Sequence, residues 1–208
     1  RDDVLTGDVN DNIILGGKGD DTIYGGDGND TLYGGISPDS DGNNLVNSAY
    51  LNLTVGLWYN HYYQGAGVDK LYGGAGNDAL YGAALDDLLD GGTGTDTLNG
   101  GEGADTFVIR TGDGSTTLAD ANVITDFEDG SDIIGLDNDL NFNQLTIAQG
   151  TGAYASHTLV RVTATGEYLL IIQNTTASNI TDLDFTAVEI SESSVALDAS
   201  GITSENNP

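Results

Sequence analysis

Gly16-Gly17-Lys18-Gly19-Asp20-Asp21-Thr22-Ile23-Tyr24 runs straight into Gly25-Gly26-Asp27-Gly28-Asn29-Asp30-Thr31-Leu32-Tyr33, and the two nonapeptides match place for place. Glycine fills the first, second and fourth places, Lys18 and Asp27 take the third, and aspartate holds the sixth. The eighth place is apolar. Backwards from this pair the frame holds through residues 7–15, with Asn12 in the aspartate place and Ile14 in the apolar one, to a partial unit carrying Asp3 and Leu5. After an interruption it returns at Gly65-Ala66-Gly67-Val68-Asp69-Lys70-Leu71-Tyr72 and continues through residues 73–81, 82–90, 91–99 and 100–108. A unit this short cannot bury its apolar face alone, so units must stack.

Each place has a physical reading. Glycines at places one, two and four are expected to turn the backbone through positive φ and bring carbonyls close to a guest ion. The sixth-place aspartate adds a hard carboxylate oxygen, and oxygen-only ligation suits Ca²⁺ over Zn²⁺ or Cu²⁺. The eighth residue is expected on a three-residue strand, pointing inward. Those residues are Leu5, Ile14, Ile23, Leu32, Leu71, Leu80, Leu89, Leu98 and Phe107, an unbroken apolar column. A stacked, two-sheet parallel coil follows from it.

Composition points the same way. The 208 residues carry 33 Asp plus Glu against 5 Lys plus Arg, a formal charge of -28, with 31 Gly and no Cys. That charge repels phosphate, which excludes nucleic acid as a partner and disfavours an anionic membrane surface. Compaction forces the carboxylates together unless a cation neutralises them. Absent Cys removes disulfides and thiolate metal sites, and no apolar run is long enough to span a bilayer. The start Arg1-Asp2-Asp3 has no Met and no signal-peptide pattern, as expected of a fragment or processed piece.

The rule Gly-Gly-x-Gly-x-Asp-x-apolar-x resembles the calcium-binding repeat of RTX proteins over residues 1–35 and 64–108. The resemblance implies an all-β fold, a parallel β-roll of calcium-binding nonapeptide repeats with an antiparallel β-rich C-terminal cap. It implies several Ca²⁺ ions, each held between turns on one edge by ligands eighteen residues apart. Asp3 would share an ion with Asp21, Asn12 with Asp30, Asp69 with Asp87, Asp78 with Asp96, and Asp87 with Asp105. Carbonyls of Gly17, Gly19, Gly26, Gly28, Gly74, Gly76, Gly92, Gly94, Gly101 and Gly103 would complete the shells. Asn12 lacks a charge, so its site is expected to be weaker. In unit 82–90, Ala83 and Leu85 stand where glycines belong, so that turn is expected to be strained or its sites distorted.

The interruption at 36–63 opens polar and turns aromatic through Tyr50, Trp58, Tyr59, Tyr62 and Tyr63. Alternation from Leu51 to Leu57 argues a strand with one buried face. Asp39, Asp41 and Asn43 begin like a calcium loop, but Tyr50 stands where an EF-hand needs its Glu. A hairpin or lid that buries its own aromatics is favoured over a glycan-binding platform. His61 and His157 are the two histidines, too few for a histidine metal site.

Beyond residue 108 the glycines thin out and the pattern becomes antiparallel β, with strands expected at 106–110, 122–127 and 132–136 and a hairpin over 158–163 and 168–173. Residues 104–190 resemble the segment that follows the repeats in many RTX proteins, which implies a cap leading into a type I secretion signal. Asp126 and Asp132 are either ligands of a further calcium at the seam or solvated turn residues. The expected organisation is a roll over 1–108, a cap and secretion-related region over 109–190, and a flexible tail over 191–208.

No His-Glu-x-x-His or Gly-x-Ser-x-Gly is present, and no catalytic residue is assigned. The leading reading is a non-enzymatic calcium-binding module, secreted to the extracellular space or cell surface, that folds after type I export. It would stabilise and anchor a larger protein such as an adhesin. Its partners would be calcium, the type I secretion machinery and a cell-surface or extracellular glycan. The alternatives are the non-catalytic end of a secreted protease, lipase or polysaccharide-modifying enzyme, or a polysaccharide-binding module.

Overall fold

The computed structural model describes residues 2–17, 20–35 and 67–190; the aromatic interruption at 36–63, Gly19 and the 191–208 tail lie outside them. Each nonapeptide contributes one strand, and successive strands alternate between two facing sheets. The order is β1 (Val4–Thr6), β2 (Ile13–Leu15), β3 (Thr22–Asp27), β4 (Thr31–Tyr33), β5 (Lys70–Ala75), β6 (Ala79–Ala84), β7 (Leu88–Thr93), β8 (Thr97–Glu102) and β9 (Thr106–Ile109). The cap adds β10 (Asn122–Ile124), β11 (Ile133–Leu136), β12 (Leu145–Gln149), β13 (Thr158–Val162), β14 (Tyr168–Ile172) and β15 (Phe185–Ala187), with four short 3-10 turns. Among the described residues no helix is long and apolar enough to cross a membrane.

One sheet runs β1-β3-β5-β7-β9-β11-β15 and is parallel throughout. The other runs β2-β4-β6-β8-β10-β14-β13-β12, parallel as far as β14 and antiparallel over β14-β13-β12. The antiparallel meander expected of the cap is therefore β12–β14. Strands β10, β11, β14 and β15 instead continue the parallel stacking of the roll. Strands β3 and β5 to β8 reach six residues rather than three, because the glycine pair and the third place also pair in register, as in Gly74↔Gly92 and Ala75↔Thr93.

The eighth-place column forms the core. Ile23, Leu32, Leu71, Leu80, Leu89, Leu98 and Phe107 are fully buried, while Leu5 and Ile14 are half-buried at the N-terminal end. Ile124, Ile134, Val160, Leu170 and Ile172 carry the same core into the cap. Each such side chain contributes about 1.5–3 kcal/mol on burial.

The interruption does not break the stack. β3 pairs directly with β5 and β4 with β6, so Ile23 faces Leu71 and Leu32 faces Leu80. Partners across it are 48 residues apart rather than 18, as between Asp21 and Asp69. The N–H groups of Gly34 and Gly35 donate to the Tyr81 and Gly82 carbonyls, and a Cβ on Gly34 would lie 2.5 Å from Asp69 Oδ2. The extra chain therefore leaves one nonapeptide after Gly35 and rejoins it before Asp69, inside a turn and not between units. Tyr24 stacks on Tyr72 and Tyr33 on Tyr81, each at 5.0 Å between ring centroids, tying the turns on either side together.

Candidate metal centre

The turns fall on two edges. One carries Asn12, Asp30, Asp78 and Asp96; the other carries Asp3, Asp21, Asp69, Asp87 and Asp105. Along each edge the carboxylate of one turn accepts the N–H of the sixth-place residue in the turn before it. On the first edge Asn12 N–H donates to Asp30 Oδ1, Asp30 N–H to Asp78 Oδ1 and Asp78 N–H to Asp96 Oδ1, at 2.8, 2.6 and 2.9 Å. On the second, Asp3 donates to Asp21, Asp21 to Asp69, Asp69 to Asp87 and Asp87 to Asp105, at 2.8, 2.7, 2.8 and 2.8 Å. All five expected pairs are neighbours in these ladders. The pairs Asp21–Asp69 and Asp30–Asp78 escape an eighteen-residue rule because the interruption separates them in sequence.

Only one oxygen of each carboxylate is used this way. Asp21, Asp30, Asp69, Asp78, Asp87, Asp96 and Asp105 are at most 2 % exposed, and the Oδ2 of each has no hydrogen-bond partner. A buried carboxylate oxygen left unpaired costs a few kcal/mol. The effect is visible in the acidities. Burial pushes Asp69, Asp78 and Asp105 up to about 6, Asp96 to about 7 and Asp87 to about 8, from an ordinary 3.8, and neighbouring aspartates add to it. Asp30 is raised as well, for the same reason.

The glycines divide into two roles. The second- and fourth-place glycines Gly17, Gly26, Gly28, Gly74, Gly76, Gly92, Gly94, Gly101 and Gly103 are left-handed, whereas Asp8 and Asn10, which stand in those places in unit 7–15, are not. First-place glycines are not, contrary to the expectation for all three places. They are needed because a side chain would fill the space beside the orphan oxygen. A Cβ on Gly73 would lie 2.5 Å from both Asp78 Oδ2 and the Gly91 carbonyl. The same crowding by a carboxylate and the next turn's first-place carbonyl recurs at Gly16, Gly25 and Gly82. The first-place carbonyls of Gly34, Gly73, Gly91 and Gly100 thus border the carboxylates, and sequence reading singled out second- and fourth-place carbonyls instead.

Ala83 (φ 98) and Leu85 (φ 78) adopt the left-handed path that glycine follows elsewhere, at a cost of about 1–2 kcal/mol each. The strain expected in unit 82–90 is present, yet Asp87 keeps its place in the ladder. At the seam, neither reading of Asp126 and Asp132 describes them fully. Asp126 accepts from Gly100 and Gly101, and Asp132 from Asp105 and Glu128, so backbone N–H groups occupy both oxygens of each. Asn122 ends the other ladder by accepting from Asp96.

Among the described residues no three Asp, Glu, His or Cys side chains converge as a metal-binding group. An ion on either edge would therefore rest on one or two carboxylates and on backbone carbonyls. Buried orphan carboxylate oxygens beside close-packed carbonyls fit a hard, oxygen-seeking cation such as Ca²⁺.

A separate charge cluster joins roll to cap. The buried Arg110 guanidinium binds Asp90, Asp113 at 3.0 Å and Asp137 at 3.1 Å. Burial carries Asp113 to about 7 despite Arg110. At Asp137 burial is outweighed by the Asn138 backbone N–H and Arg110, which leave it below the ordinary value. These residues left no repeat signature in the sequence.

Two facing sheets stacked from nonapeptides, with a sixth-place carboxylate at every turn but that of Asn12, define the parallel β-roll class. The chain carries the RTX calcium-binding nonapeptide repeat, whose family model matches four copies over residues 6–41, 65–89, 72–107 and 81–118. No curated protein matches it. Among solved structures it is similar to the AlgE6R3 and AlgE6R2 subunits of the Azotobacter vinelandii mannuronan C5-epimerase, at 20% and 21% identity. Those matches cover 95% and 87% of this chain and 90% of each subunit, both at a TM-score of 0.38. The extracellular lipase LipA from Serratia marcescens is 15% identical over 88% of this chain, at a TM-score of 0.42, and the match spans 38% of the lipase. Likeness at this level carries no statement about activity.

Proposed function

We propose that this chain is a calcium-driven folding module of an extracellular protein. It would be exported unfolded by a type I route and would stabilise or anchor the protein it belongs to without catalysing a reaction. The observation that carries the reading is the set of seven buried Oδ2 atoms without a partner, arranged in two rows. The residues that would hold the ions are Asp3, Asp21, Asp69, Asp87 and Asp105 on one edge and Asn12, Asp30, Asp78 and Asp96 on the other, with glycine carbonyls between turns. Bound Ca²⁺ supplies the positive charge that lets these carboxylates stay ionised inside the fold. Without it they must be protonated or hydrated, and the short strands cannot offset the repulsion. At low intracellular calcium the chain would stay extended enough to pass a secretion channel.

Far-UV circular dichroism tests this. Excess chelator at pH 7.5 is expected to give mainly coil, and millimolar calcium to restore the β-signal. A full β-signal indifferent to chelator would falsify the proposal.

A further inference from the structure

The fifth place of the nonapeptide forms a second ladder, outside the carboxylates and running the opposite way. Asn29 N–H donates to Asp11 Oδ1, Asn77 N–H to Asn29 Oδ1 and Thr95 N–H to Asn77 Oδ1, each at 2.8 Å. Thr95 Oγ1 then donates to the Asp120 carbonyl at 3.1 Å, joining the ladder to the cap. On the other edge Asp20 N–H donates to Asp2 Oδ1 at 3.2 Å, Val68 N–H to Asp20 Oδ1 at 3.1 Å, and Ala104 N–H to Asp86 Oδ1 at 3.0 Å. Between Val68 and Asp86 the row breaks, because the Val68 side chain has no polar atom to accept from the Asp86 N–H.

Successive N–H groups of one turn are thus held from opposite sides. The fifth is received by the preceding turn's side chain and the sixth by the following turn's aspartate. The peptide between them cannot tilt without breaking one bond, and it is this peptide that aims the aspartate and its free Oδ2. We infer that the fifth-place side chains are positioning residues for calcium, fixing the turn-to-turn spacing of the carboxylates and carbonyls without touching the ion. The unbroken row of Asp11, Asn29, Asn77 and Thr95 makes the Asp30, Asp78 and Asp96 sites on its edge, the uncharged Asn12 apart, tighter than those beside Val68. This rests on the calcium reading above, and it adds residues that the metal-ligand pattern leaves as variable.

Calorimetric calcium titration of the full chain tests it with three variants. Asn77→Ala removes one acceptor and is expected to weaken calcium binding about fivefold, the worth of a single hydrogen bond. Asn77→Asp restores the acceptor and should restore binding. Val68→Asn, at a position 46% exposed, completes the broken row and should tighten binding by a similar factor. Amide exchange by NMR should show the Thr95 N–H losing protection in Asn77→Ala, and the Asp86 N–H gaining it in Val68→Asn. Unchanged titrations for Asn77→Ala and Val68→Asn would overturn the inference, as would failure of Asn77→Asp to restore binding. Should Asn77→Ala not fold, Val68→Asn alone decides. A wild-type chain that takes up no calcium would instead overturn the reading beneath it.

Discussion

Gly73→Ala isolates the space beside an orphan oxygen from every other reason a glycine could be needed. Gly73 is not left-handed, so alanine brings no backbone strain. Its Cβ would stand 2.5 Å from Asp78 Oδ2 and from the Gly91 carbonyl, about 0.9 Å inside the 3.4 Å where ordinary contact begins. The carbonyl is backbone and cannot swing aside, so the adjacent turns must separate. Overpacking of this kind costs about 1–3 kcal/mol. An ion lost from a site at ten times its Kd removes roughly 1.4 kcal/mol more. The matched control is Gly112→Ala, where φ is 102 and a Cβ would meet nothing within 4 Å. There only left-handed strain of about 1–2 kcal/mol is expected. Native mass spectrometry in millimolar calcium separates the two. Gly73→Ala should lose at least one bound ion and Gly112→Ala none. A wild-type ion count in Gly73→Ala would show that the cleft beside Asp78 is not a binding site.

Three further outcomes are expected. Asp69, Asp78, Asp105, Asp96 and Asp87 hold protons more tightly folded than unfolded, so their contribution to the calcium-free fold is full below about pH 4 and is lost as pH rises through 6 to 8. In chelator, β-signal should therefore grow from pH 8 to pH 5, and a flat profile would contradict the burial of these groups. Arg110→Met leaves Asp90, Asp113 and Asp137 buried without their cation and should cost about 3–5 kcal/mol in thermal or denaturant unfolding with calcium present; a change below 1 kcal/mol would mean the cluster is not a clamp. Excising residues 36–65 leaves Gly34-Gly35-Ala66-Gly67-Val68-Asp69, an ordinary start of a nonapeptide, so calcium-induced folding should survive, as judged by calorimetry.

The roll was legible because its signal is repeated. Nine apolar residues at one spacing define the core column, and each aspartate two places earlier must then sit at a turn. The ladder across the interruption was not legible, since a register of 48 residues is set by stacking and not by local pattern. The first-place glycines were visible, but spacing alone does not separate the need for positive φ from the need for empty space. The fifth-place row could have been noticed, as Asp2, Asp11, Asp20, Asn29, Asn77 and Asp86 share one side-chain acceptor at one position. Arg110 left no trace, because its three carboxylates come from β7, from the turn after β9 and from the residue that follows β11. In the cap, β10, β11, β13 and β14 were readable from alternation and hairpin spacing, whereas β12 and β15 were not placed. Whether β10 and β11 pair parallel or antiparallel depends on which strand they meet.

Anomalous diffraction from crystals grown with calcium measures the central claim most directly. Two rows of ions are predicted, one along each edge of the roll. Their peaks should lie beside Oδ2 of Asp30, Asp78 and Asp96 in one row, and of Asp21, Asp69, Asp87 and Asp105 in the other. A roll with no peaks along either edge, or with ions only at sites away from these carboxylates, would contradict it.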